Sequence, residues 1–242
     1  MQSEVSTGAF YGLASAYEFL GGIGVFASAS SRALNMQAQA FASQSAVMTA
    51  HCGALSDCLM TISMLADGTT SAQGRAATTN PAVFGTSQAG YNFNWTLSGG
   101  AVNLAGGATV DERSLDDGRH TLDITGNPFS TVHTIRVHEG DQLRLFMQGA
   151  AGAFTDNNGD GGASAVADFA HTLRWGGVQG VTDLLGASID LSQVQLLGDD
   201  GFNYVQAAGP NPFTSGHSVP VPASGALVLA GLGLLHRQRR GR

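Results

Sequence analysis

The clearest alternation of apolar and polar residues in the chain is Tyr91-Asn92-Phe93-Asn94-Trp95-Thr96-Leu97. Successive side chains of a strand point to opposite faces, so this segment predicts a strand with one buried face and one solvated face. The segment 34–42 repeats the pattern, with apolar residues at its even positions. Because no segment keeps a helical period for long, strands are the expected building block.

Further strands are expected along the chain. The segments 133–138 and 142–147 flank Glu139-Gly140-Asp141, which predicts a β-hairpin closed by a short glycine-containing turn. The apolar residues of its two arms would form one shared core face: Ile135, Val137, Leu143, Leu145 and Met147. Strands are also predicted within 165–173, 187–196 and 202–205. Many short strands at turn-rich spacing predict an all-β fold, a β-sandwich or jelly-roll-like domain.

The composition excludes several functions. The chain has 242 residues, 43% apolar and 12% charged, and contains no lysine. A Walker-type phosphate loop, a Schiff-base lysine and the Ser-x-x-Lys hydrolases all need a lysine amine, so these classes are excluded. The first 236 residues carry all 18 carboxylates but only seven of the 11 arginines. An acidic body repels phosphate backbones, so nucleic acid is not an expected partner.

The C-terminal segment has three parts: Val219-Pro220-Val221-Pro222, an uncharged apolar run over 223–235, and four arginines among the last six residues. The 13 apolar residues predict a short hydrophobic helix. Such a helix is about 20 Å long at 1.5 Å per residue, against about 30 Å of hydrocarbon, so it would cross a membrane only transiently. Arginines beside a hydrophobic segment stay on the cytoplasmic side, which places the acidic body on the far side.

This order of motifs resembles the PEP-CTERM sorting signal of exported proteins of Gram-negative bacteria. The resemblance implies export to the cell envelope, outer surface or medium, with transient inner-membrane anchoring. It also implies processing near the prolines by an exosortase, a membrane-embedded cysteine transpeptidase, and a role in matrix or with exopolysaccharide. The family's usual glutamate between the prolines is Val221 here. The processing-signal residues carried over are Val219, Pro220, Pro222, Arg237, Arg239 and Arg240. The segments 167–173 and 201–204 also resemble the bodies of such proteins.

The predicted domain organisation follows from these segments. Residues 1–33 are poorly defined and fit either a helix or a broken strand. No arginine precedes Arg32, so these residues do not read as a basic leader. Met1 is expected to be internal to a longer reading frame, and the alternative is an atypical export route. The β-sandwich is predicted over 34–206, a flexible linker over 207–218 and the sorting signal over 219–242.

A candidate calcium loop places oxygen ligands at alternate positions, Asp156, Asn158 and Asp160, with Gly161 where such a loop turns sharply. The twelfth position, where a bidentate glutamate completes the shell, is Ala167. The simpler interpretation is a solvated turn that binds nothing, so no cofactor is expected. Calcium bound at this loop is the alternative.

The two cysteines, Cys52 and Cys58, lie six residues apart. An oxidising compartment favours a disulfide between them. Free structural thiols, a metal site or a catalytic thiol remain as alternatives, although no second Cys/His pair with zinc-finger spacing is present.

The sequence contains neither a Gly-x-Ser-x-Gly elbow nor a dinucleotide fingerprint at a strand-to-helix junction. We therefore expect a non-enzymatic exported protein of the envelope or extracellular matrix. One alternative is a calcium-dependent carbohydrate-binding sandwich. A second is an envelope hydrolase that uses Glu139, Asp141 or Cys52.

Overall fold

The computed structural model describes residues 2–7, 10–32, 35–74, 84–115, 117–127, 130–158 and 162–209. These residues belong to one compact unit, Met1–Pro212. The predicted sorting signal, its apolar helix and all but three residues of the predicted linker lie outside the described residues.

The described residues form β-strands, one short 3₁₀ helix and no α-helix. The elements in chain order are β1 (Gln2–Thr7), β2 (Phe10–Phe19), β3 (Gly22–Ser31), β4 (Met36–His51), β5 (Asp57–Ala66), β6 (Thr69–Gly74), β7 (Phe84–Gly99), β8 (Val102–Ser114), β9 (His120–Gly126), β10 (Thr131–His138), β11 (Gln142–Asn158), β12 (Ala163–Thr182), β13 (Ser188–Ile189), the 3₁₀ helix (Leu191–Gln193) and β14 (Gln195–Gly198).

The strands make two antiparallel sheets. The eight-stranded sheet runs β1-β2-β3-β12-β5-β10, and β6 and β13 also pair with β12. The six-stranded sheet runs β14-β4-β11-β7-β8-β9. The predicted all-β, β-sandwich-like fold is confirmed at this level.

The core lies between the two sheets. In β7 the predicted alternation is present: Tyr91, Phe93, Trp95 and Leu97 are buried and the residues between them are exposed. The ring of Phe169, from β12 in the other sheet, stacks on Tyr91 and Phe93 with centroids 4.8 and 5.2 Å away. Aromatic contacts of this kind join the inner faces of the two sheets.

The predicted hairpin around residues 139–141 is wrong. β10 pairs with β5 in the eight-stranded sheet, whereas β11 lies between β4 and β7 in the six-stranded sheet. The turn therefore carries the chain from one sheet to the other. The five apolar residues of the two segments are all buried, but they belong to two different sheets. Alternation shows which face of a strand is buried and does not show which strand pairs with it.

Residues 10–31 also form strands of the eight-stranded sheet. β3 pairs with β12 from Gly22 to Ser31, and nine of its ten residues are buried. The two-sheet fold thus begins upstream of residue 34. A strand covered on both faces does not alternate, which is why the sequence pattern there was ambiguous.

The region 187–205 differs from its predicted strands. A 3₁₀ helix capped by Asp190 interrupts 187–196, and 202–205 is a turn with one isolated bridge at Asn203. The backbone carbonyl of Tyr204 accepts a 2.6 Å hydrogen bond from the buried indole of Trp175. This contact holds the turn against the sandwich.

Candidate functional sites

Cys52 and Cys58 are joined by a disulfide, and both residues are fully buried. The bond closes the loop between β4 and β5, and the chain that crosses from β10 to β11 packs on this loop. Glu139, in that crossing, donates its N–H to the carbonyl of Ser56 at 2.9 Å. We call this region the disulfide end.

Glu139 bonds to the disulfide loop with both carboxylate oxygens. Its Oε1 lies 2.6 Å from Nδ1 of His51, and its Oε2 accepts the N–H of Cys52 at 2.7 Å. The hydrogen bond from His51, and then that from Cys52, lower the pKa of Glu139. This carboxylate is therefore held ionised by groups of the loop itself.

The other acidic groups of the disulfide end are engaged in the same way. Asp57 accepts from the guanidinium of Arg136 at 2.9 and 3.1 Å, and this bond is the main cause that lowers the pKa of Asp57. Asp57 also contacts Nδ1 of His138. Asp141 accepts the backbone N–H of His138 at 2.9 Å.

These contacts bear on the hydrolase hypothesis. A cysteine nucleophile needs a free thiolate, and neither cysteine has a free thiol. Glu139 and Asp141 bond to the chain around them. Within the described residues, no group of three or more His, Cys, Asp or Glu could hold a metal ion. The geometry of the disulfide end is that of a brace between the two sheets.

The predicted calcium residues are only partly described. Asp156 lies near the end of β11, where its carbonyl accepts from the hydroxyl of Thr86 at 3.5 Å. The side chain of Asn158 and the whole of Asp160 lie outside the described residues, so the calcium loop stays a prediction.

A groove lies on the outer face of the six-stranded sheet, with a volume of about 680 Å³. Residues directly opposite one another on β4, β11, β7 and β8 form rungs across this face. The upper rung is Phe41, Ala150, Asn92 and Thr109. The middle rung is Gln39, Gly152, Gly90 and Asp111. The lower rung is Gln37, Phe154, Gln88 and Arg113.

The depth of the groove comes from the glycines of its middle rung. Gly152 and Gly90 lie side by side and carry no side chain, whereas the rungs on either side carry Phe41 and Phe154. The upper and lower rungs are four residues apart along each strand, or about 13 Å at 3.3 Å per residue. A channel thus crosses the strands between two walls.

The walls present apolar rings to solvent. Phe41 is 61% exposed and Phe154 is 37% exposed. An exposed phenylalanine contributes little to the core, and exposed apolar surface rimmed by polar groups is typical of binding grooves. Both rings are therefore available to a ligand.

Polar groups line the rest of the groove. The amides of Gln37, Gln39 and Asn92 are among them. At its β8 end, the carboxylate of Asp111 accepts from the amide of Gln88 at 3.0 Å and from the guanidinium of Arg113 at 2.6 Å. Its donors hold this carboxylate in one orientation.

Sequence reasoning missed the groove, although two signals were present. Phe41 breaks the alternation of 34–42, because it puts an apolar ring among the polar positions. Gly90 and Gly152 are glycines inside strands, where glycine often marks close approach of a ligand or a backbone. Only the pairing of β4, β11 and β7 brings these residues together.

No protein-family model, no curated protein and no solved structure matches this chain. In the part of the chain that the structure describes, no helix has the length and apolar character needed to cross a membrane.

Proposed function

We propose that this chain is a non-enzymatic, exported, polysaccharide-binding protein of the bacterial cell envelope or extracellular matrix. It consists of a jelly-roll-like β-sandwich followed by a short hydrophobic helix at 223–235. Its binding site is the groove on the outer face of the six-stranded sheet.

One observation carries the binding proposal: the exposed rings of Phe41 and Phe154 flank a glycine-floored channel lined with amides. A sugar ring has apolar C–H faces and a rim of hydroxyl groups. Aromatic side chains can pack on the C–H faces, and amide and carboxylate groups can hydrogen-bond to the hydroxyl groups. The groove combines both kinds of group in one open channel, which suits an extended glycan.

Export is supported by the C-terminal segment and by the disulfide. Disulfides persist in oxidising compartments such as the periplasm and the cell exterior, and are rare in the cytosol. The order of prolines, apolar run and arginines resembles that of exosortase-processed proteins, with Val221 in place of the usual glutamate. In this proposal the chain spans the inner membrane at 223–235 only until it is cleaved near Pro222.

Intact mass spectrometry of the protein from its native host tests the export proposal. The mature protein should lack the segment after Pro222 when the exosortase is present and retain it when the exosortase gene is deleted. A mature form that still contains Arg242 beside an active exosortase would contradict the proposal. In-frame DNA upstream of Met1 that encodes a signal peptide would add support.

Affinity electrophoresis in gels that contain soluble polysaccharides tests the binding proposal. We expect at least one polysaccharide to retard the protein, and the Phe154→Ala variant to be retarded less.

The same gels, run with calcium and with EDTA, test the calcium-dependent alternative. In that case EDTA should abolish binding, and Asp160→Ala should have the same effect as EDTA. Release of reducing ends from the bound polysaccharide would instead favour the hydrolase. Retardation by none of the polysaccharides would refute the binding proposal.

A further inference from the structure

Resting on the proposed function, we infer that the ligand is a linear, uncharged polysaccharide, bound through interior segments that lie across the strands along the middle rung. The inference depends on three features of the groove: its open ends, its charge and the empty space above Gly152.

The groove is open at both ends within the described residues. At its β4 end, Gln39 lies on a part of the strand that pairs only with β11, because β14 pairs with β4 only from Met48 to His51. At its β8 end, Asp111 is paired with Asp123 of the exposed strand β9. Within the described residues no further strand pairs with this part of β4, and every residue of β9 is exposed, so a chain can extend past both ends.

The charge of the groove disfavours an acidic glycan. Asp111 ends the middle rung and is the one charged residue in the described lining of the groove. Asp123, opposite it on β9, and Asp156, two residues beyond Phe154 on β11, lie on the same outer face. The one cation on the three rungs, Arg113, is bonded to Asp111 at 2.6 Å. A polyuronate would bring further carboxylates beside these groups, and like charges disfavour binding. A neutral chain meets no such repulsion.

Gly152 marks the floor of the channel. A Cβ added to Gly152 would meet nothing within 4 Å, whereas a Cβ on Gly90 would lie 2.9 Å from the carbonyl of Val110. The space above Gly152 is therefore open to a ligand. A large side chain placed there would project into the channel.

The test measures binding of three soluble probes by affinity electrophoresis: a linear neutral glucan, a linear neutral mannan and a linear polyuronate. Wild-type protein should bind at least one neutral probe and should not bind the polyuronate. Gly152→Trp should weaken binding of the neutral probe at least about tenfold. The control is Gly180→Trp, on the other sheet, where an added Cβ also meets nothing within 4 Å; it should change binding less than twofold.

Thermal melts show whether each variant is folded. Should Gly152→Trp not fold, Gln39→Ala on the middle rung replaces it and should also weaken binding of the neutral probe, since Gln39 is exposed and lines the groove. Competition by oligosaccharides of the neutral probe should strengthen with chain length, because the site binds interior segments.

The outcomes separate the inference from the proposed function. Binding of the polyuronate and of neither neutral probe would overturn the inference and leave polysaccharide binding in place. If Gly152→Trp binds the neutral polysaccharide as tightly as wild type does, the assignment of the ligand to the middle rung is overturned. If a monosaccharide competes as strongly as the polymer does, the binding of interior segments is overturned. Binding of no probe would refute both the inference and the proposed function.

Discussion

The groove and the disulfide end both expose polar side chains, but they use them differently. At the disulfide end, Glu139 and Asp57 bond to histidine, arginine and backbone groups of the protein. In the groove, the rings of Phe41 and Phe154 face solvent, and the glycines between them leave space. Residue types alone therefore do not mark a binding site. The difference lies in the exposed rings and the open space beside the polar groups of the groove.

Removal of the disulfide should have the largest effect on stability. The Cys52→Ala/Cys58→Ala variant should lose about 2 kcal/mol of unfolding free energy, because the unfolded chain regains the entropy of a short loop. Urea denaturation measures this loss. Polysaccharide binding by the folded variant should stay unchanged, since the groove is on the outer face of the sheet. A folded variant that no longer binds would contradict the separation of the two regions.

Truncation of Phe41 should weaken polysaccharide binding and leave the stability of the protein nearly unchanged. Phe41→Ala should weaken polysaccharide binding about fivefold, close to 1 kcal/mol, as for a moderate interface contact. Because the ring is 61% exposed, the unfolding free energy should change by less than about 0.5 kcal/mol. The matched control is Val132→Ala in the eight-stranded sheet, which is 62% exposed. Equal loss of binding in Phe41→Ala and Val132→Ala would contradict the assignment of Phe41 to the binding site.

The acidic groups of the disulfide end should make the stability of the protein depend on pH. The folded-state pKa of Glu139 is lowered by His51 and by the N–H of Cys52. Its stabilising contribution is therefore fully present above the ordinary glutamate pKa, about 4.3, and is lost as pH falls through the lowered folded-state pKa. The folded-state pKa of Asp57 is also lowered, so its contribution to stability is likewise lost as the pH falls.

Urea denaturation at pH 7 and at successive pH values below 4.3 measures this contribution. Glu139→Gln cannot titrate, so its stability should fall less than that of wild type over the same interval. The effect should be the smallest of the three, because the carboxylate is largely in solvent. An identical fall in both proteins would show that the pairing of Glu139 does not contribute.

The fold class was readable from the sequence because alternation directly reports burial. Tyr91, Phe93, Trp95 and Leu97 are all buried as predicted. The partner of a strand was not readable, as the failed hairpin at 139–141 shows: β10 and β11 belong to different sheets. Residues 22–31 escaped the pattern because β3 is buried on both faces.

One of the two candidate sites could be predicted from the sequence and the other could not. Cys52 and Cys58 could be paired from the sequence, because they are its only two cysteines and six residues leave room for a turn that brings them together. Phe41, Gly90 and Gly152 could not be grouped, since they come from three distant parts of the chain. Their proximity depends on the register of β4, β11 and β7.

The amino-acid sequence by itself determined the all-β class, the acidic character and the exclusion of lysine-dependent chemistry, because composition and period-two alternation are local properties. The tertiary structure alone decided that the chain crosses between sheets at 139–141 and that a glycine-floored groove lies between Phe41 and Phe154. Strand pairing is non-local: a shift of one residue in register would move these side chains to the other face of the sheet.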